Sequence, residues 1–256
     1  MARAKLIDAT KRPSVFLAVF LVACAFQLGG CRYGAGDTPE EIAASLVHDV
    51  KHGGRAVARA KAYGDRMLEP LRRESRDFTV WEGIWPYLAV DVLSANRSAA
   101  AKQLVSELSQ REAMLPRLIG LASLAAQGEL PGDAEPFLIR VTRGQLTEEE
   151  QKDAWGDETG QRSLSVNLIW TYRKLSILAL KEKRSEDAVP ALVEILKDRE
   201  SAAVQIEACQ ALAKIGGAEA APGLRDAMTR TGFQAPRASI DLRSLAAAAG
   251  SGGKRK

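Results

Sequence analysis

The 256-residue chain is predicted to be all-α, an α-solenoid of about five or six antiparallel helix pairs behind an N-terminal signal peptide. Three observations carry this. Apolar residues recur at three- and four-residue spacings over almost the whole length, which is the stripe of an amphipathic helix. Sustained alternation of β-branched and polar residues, the mark of a half-buried strand, is scarce. A spacing near 33 residues recurs along the chain, and a fixed period of that size is the signature of stacked helical units.

The clearest unit occupies residues 187–228. Ala188-Val189-Pro190-Ala191-Leu192-Val193-Glu194-Ile195-Leu196-Lys197 reads as a first helix, with Pro190 tolerated in its first turn and Val189, Leu192, Val193 and Leu196 as its stripe. A turn at 198–201 leads into a second helix over 202–215, with Val204, Ala208, Ala211, Leu212 and Ile215 on one face. Gly216-Gly217 stops it, and Ala220-Ala221-Pro222 opens the next first helix. Pro222 lies 32 residues after Pro190, Pro136 lies 54 before it, Gln103 lies 33 before Pro136, and Pro70 lies 33 before Gln103. The long interval exceeds the period by about 21 residues and contains the one polar stretch read as non-helical, 144–160. Second helices are expected around 79–95, 111–126 and 162–183. Residues 39–50 and 55–62 read as a degenerate capping pair, and 236–249 as a last helix.

Val204, Glu207-Ala208-Cys209-Gln210-Ala211-Leu212-Ala213-Lys214-Ile215-Gly216 and the Ala-Ala-Pro that follows resemble HEAT-type repeats in the short bacterial form also seen in phycobilisome-lyase-like proteins. The family usually has Arg after the Val of the second helix, where this chain has Gln205. The resemblance implies a helical scaffold that stacks unit on unit, and its alternative implication is an enzyme accessory or lyase-like protein.

The N-terminus carries an address. Arg3, Lys5, Lys11 and Arg12 stand against one acid, Asp8, and twelve uninterrupted apolar residues follow at 15–26. A basic segment before an apolar run of this length is a secretory signal layout, and the run is short of the roughly 20 residues that span a bilayer. It ends in Leu28-Gly29-Gly30-Cys31, which resembles the lipobox of bacterial lipoproteins. That resemblance implies cleavage before Cys31, diacylglycerol and acyl chains on its thiol, and attachment to a membrane of the cell envelope. Arg32 in place of Asp after the cysteine favours the periplasmic side of the outer membrane over the inner membrane. The expected organisation is a signal peptide at 1–30, a lipidated tether at 31–38, a repeat domain at 39–249 with an acidic insertion at 144–162, and a flexible basic tail at 250–256.

Charge excludes one class of partner. The formal net charge is +4, but residues 1–30 hold four bases and one acid. Once they are removed, 32 bases face 31 acids, so no footprint for nucleic acid remains. Cys24 falls in the signal and Cys31 takes lipid, which leaves Cys209 unable to form an intramolecular disulfide. On a second helix between Ala208 and Ala211, it is expected to be buried.

Catalytic chemistry has little to stand on. His48 and His52 are the only histidines, and a four-residue spacing supplies two zinc ligands where a catalytic site needs more. Nucleophiles need a base nearby, and no phosphate loop or dinucleotide fingerprint occurs. No catalytic residue, metal or cofactor is expected. The expectation is a non-catalytic scaffold or assembly factor that holds an envelope protein. Two features are candidates for partner binding. One is the insertion, Thr147 to Glu158, with six acids, one base and a Trp, from which Glu148, Glu149, Glu150 and Trp155 are singled out because insertions in repeat proteins map to loops, often on the binding face. The other is the aromatic group Trp81, Trp85 and Tyr87, with Trp170 and Tyr172, read either as core wedges or as a patch on a concave face. Trp85 is its candidate contact.

Overall fold

The computed structural model describes residues 38–48, 53–79, 84–155, 162–197, 201–216 and 220–229. Among them all regular structure is helical. In chain order the α-helices are α1 (Pro39–His48), α2 (Gly53–Tyr63), α3 (Leu68–Glu74), α4 (Trp85–Ala95), α5 (Ala99–Ser109), α6 (Met114–Gln127), α7 (Ala134–Thr142), α8 (Glu148–Trp155), α9 (Arg162–Lys183), α10 (Val189–Lys197), α11 (Ala202–Ile215) and α12 (Ala220–Thr229). Short 3-10 turns at Gly64–Met67 and Glu186–Ala188 lead into α3 and α10. The signal, Cys31 and the tether up to residue 37, His52, Trp81, the helix expected at 236–249 and the tail lie outside the described residues.

Local chemistry sets many of the boundaries. Thr38 and Glu41 exchange hydrogen bonds at the start of α1, the Thr38 Oγ1 accepting from the Glu41 amide and the Glu41 carboxylate from the Thr38 amide, both at 3.2 Å. This reciprocal box satisfies amides that have no helical partner. Ser98 does part of the same for α5, accepting from Ala101 N at 3.0 Å. α6 and α9 stop through one device: the amide two residues past the end reaches back to a carbonyl in the last turn, Glu129 N to Leu124 O at 2.8 Å and Ser185 N to Leu180 O at 3.1 Å. That closure requires a left-handed residue, supplied by Gly128 at φ 78° and by Arg184 at φ 58°.

The segment after α3 departs from expectation. A second helix was predicted over 79–95, but α4 begins at Trp85. Arg76, Asp77 and Phe78 are all left-handed, with φ of 47°, 61° and 66°, and a right-handed helix cannot propagate from them. The turn is held by Ser75 Oγ, which accepts from the Phe78 amide at 2.9 Å, by an Arg111–Asp77 ion pair, and by complete burial of Phe78. Pro86 then suits the first turn of α4, where an amide is not needed.

Second-position helices α2, α4, α6, α9 and α11 each pack on the next, and α5, α7 and α10 lie against α6, α9 and α11. The core is continuous from Ile42 to Leu224, as it must be when no single pair can cover its own apolar face. Polar ties repeat the sequence period in space. Arg97 donates to Gln127 O, Gln127 to Leu93 O, Arg173 to Thr142 O and Lys214 to Glu182, joining residues 30 to 34 positions apart. Across the insertion the same kind of tie joins residues 50 and 51 apart, Ser185 to Glu135 and Arg143 to Glu194. Extra residues between α7 and α9 thus leave the stacking of neighbours unbroken.

Candidate interaction surface

The acidic insertion is where the fold differs most from the sequence reading. The stretch expected to be non-helical contains α8. Its start is a second reciprocal box: Thr147 Oγ1 accepts from the Glu150 amide at 3.3 Å, and the Glu150 carboxylate accepts from the Thr147 amide at 2.8 Å. Three glutamates in the first turn add favourable charge at the positive end of the helix. Thr147-Glu148-Glu149-Glu150 carries this signature in plain view, and the reading passed over it because polarity without an apolar stripe reads as loop.

α8 is docked. Arg140 on α7 donates through both terminal nitrogens to the two oxygens of Glu150, at 2.6 and 2.5 Å, and also to Gln145 O at 2.7 Å. The Arg140 guanidinium lies 5.4 Å from the Phe137 ring, whose other neighbour is Arg117 at 4.0 Å. Hydrogen bonds from Arg140 hold the Glu150 carboxyl below its ordinary range, with burial opposing, while Glu150 raises Arg140. Glu150 is therefore spent inside the chain, which corrects its assignment to partner binding: a carboxylate engaged by a two-pronged guanidinium has few acceptor positions left for another molecule. Glu148 and Glu149 are exposed. Trp155 is the last residue of α8, and its side chain lies outside the described set. α8 also contacts α6 and α9.

Trp85 is corrected as well. It is 1% exposed and stacks on Phe78 with ring centres 6.3 Å apart, so its ring belongs to the core and offers nothing to a partner. Tyr172, at 2% exposed, lies in the core as Trp85 does. Tyr87 and Trp170 are half-buried. Burial pushes the Tyr87 phenol above its usual value.

Other polar groupings are already occupied. His48 Nε2 lies 3.9 Å from Glu74 Oε2, and among the described residues no three potential ligands gather around a metal position. A shallow groove between α3 and α5 is lined by Asp65, Leu68, Glu69, Arg72, Gln103 and Glu107. Its charges mostly serve the fold: Arg72 reaches Glu107 at 3.4 Å, Gln103 donates to Glu107 at 2.9 Å, and hydrogen bonds from Ser98 and Asn96 hold the Asp65 carboxyl low. Cys209 is fully buried as expected, and desolvation pushes its thiol up to about 12. Gln205, at the family's Arg position, is buried beside Val204 on α11. Among the described residues no helix is long and apolar enough to cross a membrane.

A family model described as HEAT repeats matches residues 170–245. The stretch takes in most of α9 together with α10, α11 and α12, so the chain carries HEAT-type repeats in its C-terminal part, where the sequence reading placed its clearest unit. No curated protein and no solved structure matches the chain.

Proposed function

We propose that this protein is a non-catalytic scaffold or assembly factor of the bacterial cell envelope, lipid-anchored at Cys31, that holds another envelope protein on its helical-repeat surface. The observation that carries the interaction half is the stacked helical layer, matched as HEAT repeats over 170–245, with α8 docked on its side. Quasi-linear stacks of this kind expose extended surfaces suited to other polypeptides. Glu148 and Glu149 stand on that surface, held in place by the Arg140–Glu150 clamp.

The anchor half rests on the order basic segment, apolar run, Leu28-Gly29-Gly30, Cys31. One acyl chain gives only marginal membrane binding, whereas the three implied by a lipobox hold a protein firmly. The lipid supplies proximity and the repeat domain supplies the contact, with the periplasmic side of the outer membrane favoured by Arg32.

Growth of expressing cells on an alkyne-bearing palmitate analogue tests the anchor. Wild-type protein should acquire the label and Cys31→Ala should not, and an unlabelled wild-type chain would rule the anchor out. For the scaffold, crosslinked envelopes should yield a protein that co-purifies with the wild-type chain and is reduced by the pair Glu148→Lys and Glu149→Lys. Recovery of the chain alone would sink the reading.

A further inference from the structure

α9 is packed on by α4, α6, α7, α8 and α11, and between Leu168 and Leu180 most of its side chains are buried. Apart from Ile169, the exceptions share one stripe. Trp170, Lys174 and Leu178 are half-buried at spacings of four residues, and half-buried Lys181 follows three residues later. Neighbouring helices border this stripe on both sides. Lys174 Nζ lies 4.3 Å from the centre of the Tyr87 ring on α4, and Lys181 Nζ lies 3.7 Å from Glu207 Oε2 on α11.

The two lysines differ in one respect. Lys181 has its carboxylate. Lys174 has none within ion-pair distance among the described residues, and Glu207, whose field reaches it, is engaged by Lys181. A π face offers an ammonium only a modest attraction, which does not replace the water that burial removes. Apolar packing alone does not call for an ammonium over the Tyr87 ring, since a methionine would fill that space without the charge. A half-buried cation with no ion pair of its own among the described residues, flanked by Trp170 and Leu178 one turn away on either side, is complementary to an anion that arrives together with apolar groups.

We propose that the Trp170–Lys174–Leu178 stripe of α9, with Tyr87 of α4, is the docking surface for an extended acidic peptide segment of a partner protein, one Asp or Glu carboxylate of the peptide pairing with Lys174 Nζ. The inference rests on the scaffold reading and specifies where the partner sits and what chemistry it brings. Side chains of the peptide beside the acid lie on Trp170 and Leu178. Glu207 keeps Lys181 occupied and sets the acid's position on the Tyr87 side of the stripe.

Random nine-residue peptides displayed on phage and selected against the immobilised mature chain test this, followed by anisotropy titration of the enriched peptides. The expected result is enrichment of peptides with an Asp or Glu at one shared position. Their affinity should fall about ten-fold or more in Lys174→Met and on replacement of that acid by its amide, as for a desolvated charge pair that loses one partner. Lys174→Arg should retain most of the binding. Lys174→Met should melt at or above the wild-type temperature, which separates lost binding from lost fold. No enrichment, enrichment without a shared acid, or equal binding to Lys174→Met would each overturn the proposal. Peptides lost instead on the Glu148 and Glu149 substitutions would remove this site and leave the scaffold reading standing. That reading has its own failure, an empty co-purification.

Discussion

Replacing Gly120 by alanine tests a close approach of two helices. Gly120 sits in the middle of α6, where an isolated helix would gain about 1 kcal/mol from the change. In the folded chain the added methyl would meet α5 backbone on three atoms: Ser109 N at 2.4 Å and Leu108 C and Ser109 Cα at 2.8 Å. Ordinary contact begins at 3.4 Å, so α5 and α6 would have to part by about 1 Å, and no rotamer relieves a clash with backbone. Overpacking costs typically about 1–3 kcal/mol, and a site with no means of escape falls at the upper end. Parting the helices also weakens contacts of Val105, Leu108 and Ile119, all fully buried, because a gap of that width forfeits roughly a quarter to a half of each dispersion well. Set against the propensity gain, the net loss is about 2 kcal/mol or more, or about 4–8 °C in melting temperature for a domain of this size. Thermal melts of the chain followed by circular dichroism measure it. Gly132→Ala, where nothing lies within 4 Å of the added methyl, is the control and should shift little. A Gly120→Ala chain that melts above wild type would refute the close approach of α5 and α6.

Trp85→Ala should cost about 3–5 kcal/mol, since it empties a core position beside Phe78, whereas Trp85→Phe should cost less, the indole N–H having no acceptor among the described residues; urea melts compare the two. Arg140→Leu should release α8, seen as faster hydrogen exchange over 148–155 with α10 and α11 unchanged. The folded pKa of Glu150 lies below its unfolded value near 4.3, so its contribution is present in full above about pH 5 and is lost as the pH falls through the folded value. Glu150→Gln should flatten that acid limb, and an identical pH profile in wild type and variant would exclude the clamp. Cys209 should react with a thiol reagent only on unfolding, because the thiolate is the nucleophile and this thiol is both buried and shifted up; labelling of the native chain within minutes at neutral pH would contradict its placement.

Helix type and position were legible wherever the apolar stripe was clean. α9 and α11 run over 162–183 and 202–215, as read, because long periodic segments flanked by Gly or polar breaks leave no competing structure. The polar ties between repeats join residues 30 to 34 positions apart, close to the period read along the sequence. α8 was missed although its capping box is local, because a helix without an apolar stripe has no periodic signal. The start of α4 was missed for a different reason. Arg76, Asp77 and Phe78 are ordinary residue types for a helix, and they turn left-handed only because Ser75, Arg111 and the Phe78 pocket hold them there.

The candidate contacts separate along the same line. Composition alone identifies an acidic insertion and an aromatic cluster, since charge and apolarity are properties of single residues. Which glutamate stays available is decided by whether a guanidinium ten residues earlier folds onto it, and Arg140 does so for Glu150 while Glu148 and Glu149 remain in water. Whether a tryptophan is core or contact depends on what covers its ring, and Phe78 covers Trp85. Lys174 is one of many lysines in the chain, and only the approach of α4 and α11 to α9 takes it partly out of water with no ion pair of its own among the described residues. Periodic burial is written in one dimension and can be read there; pairing is a matter of distance between helices, which the stacking alone decides.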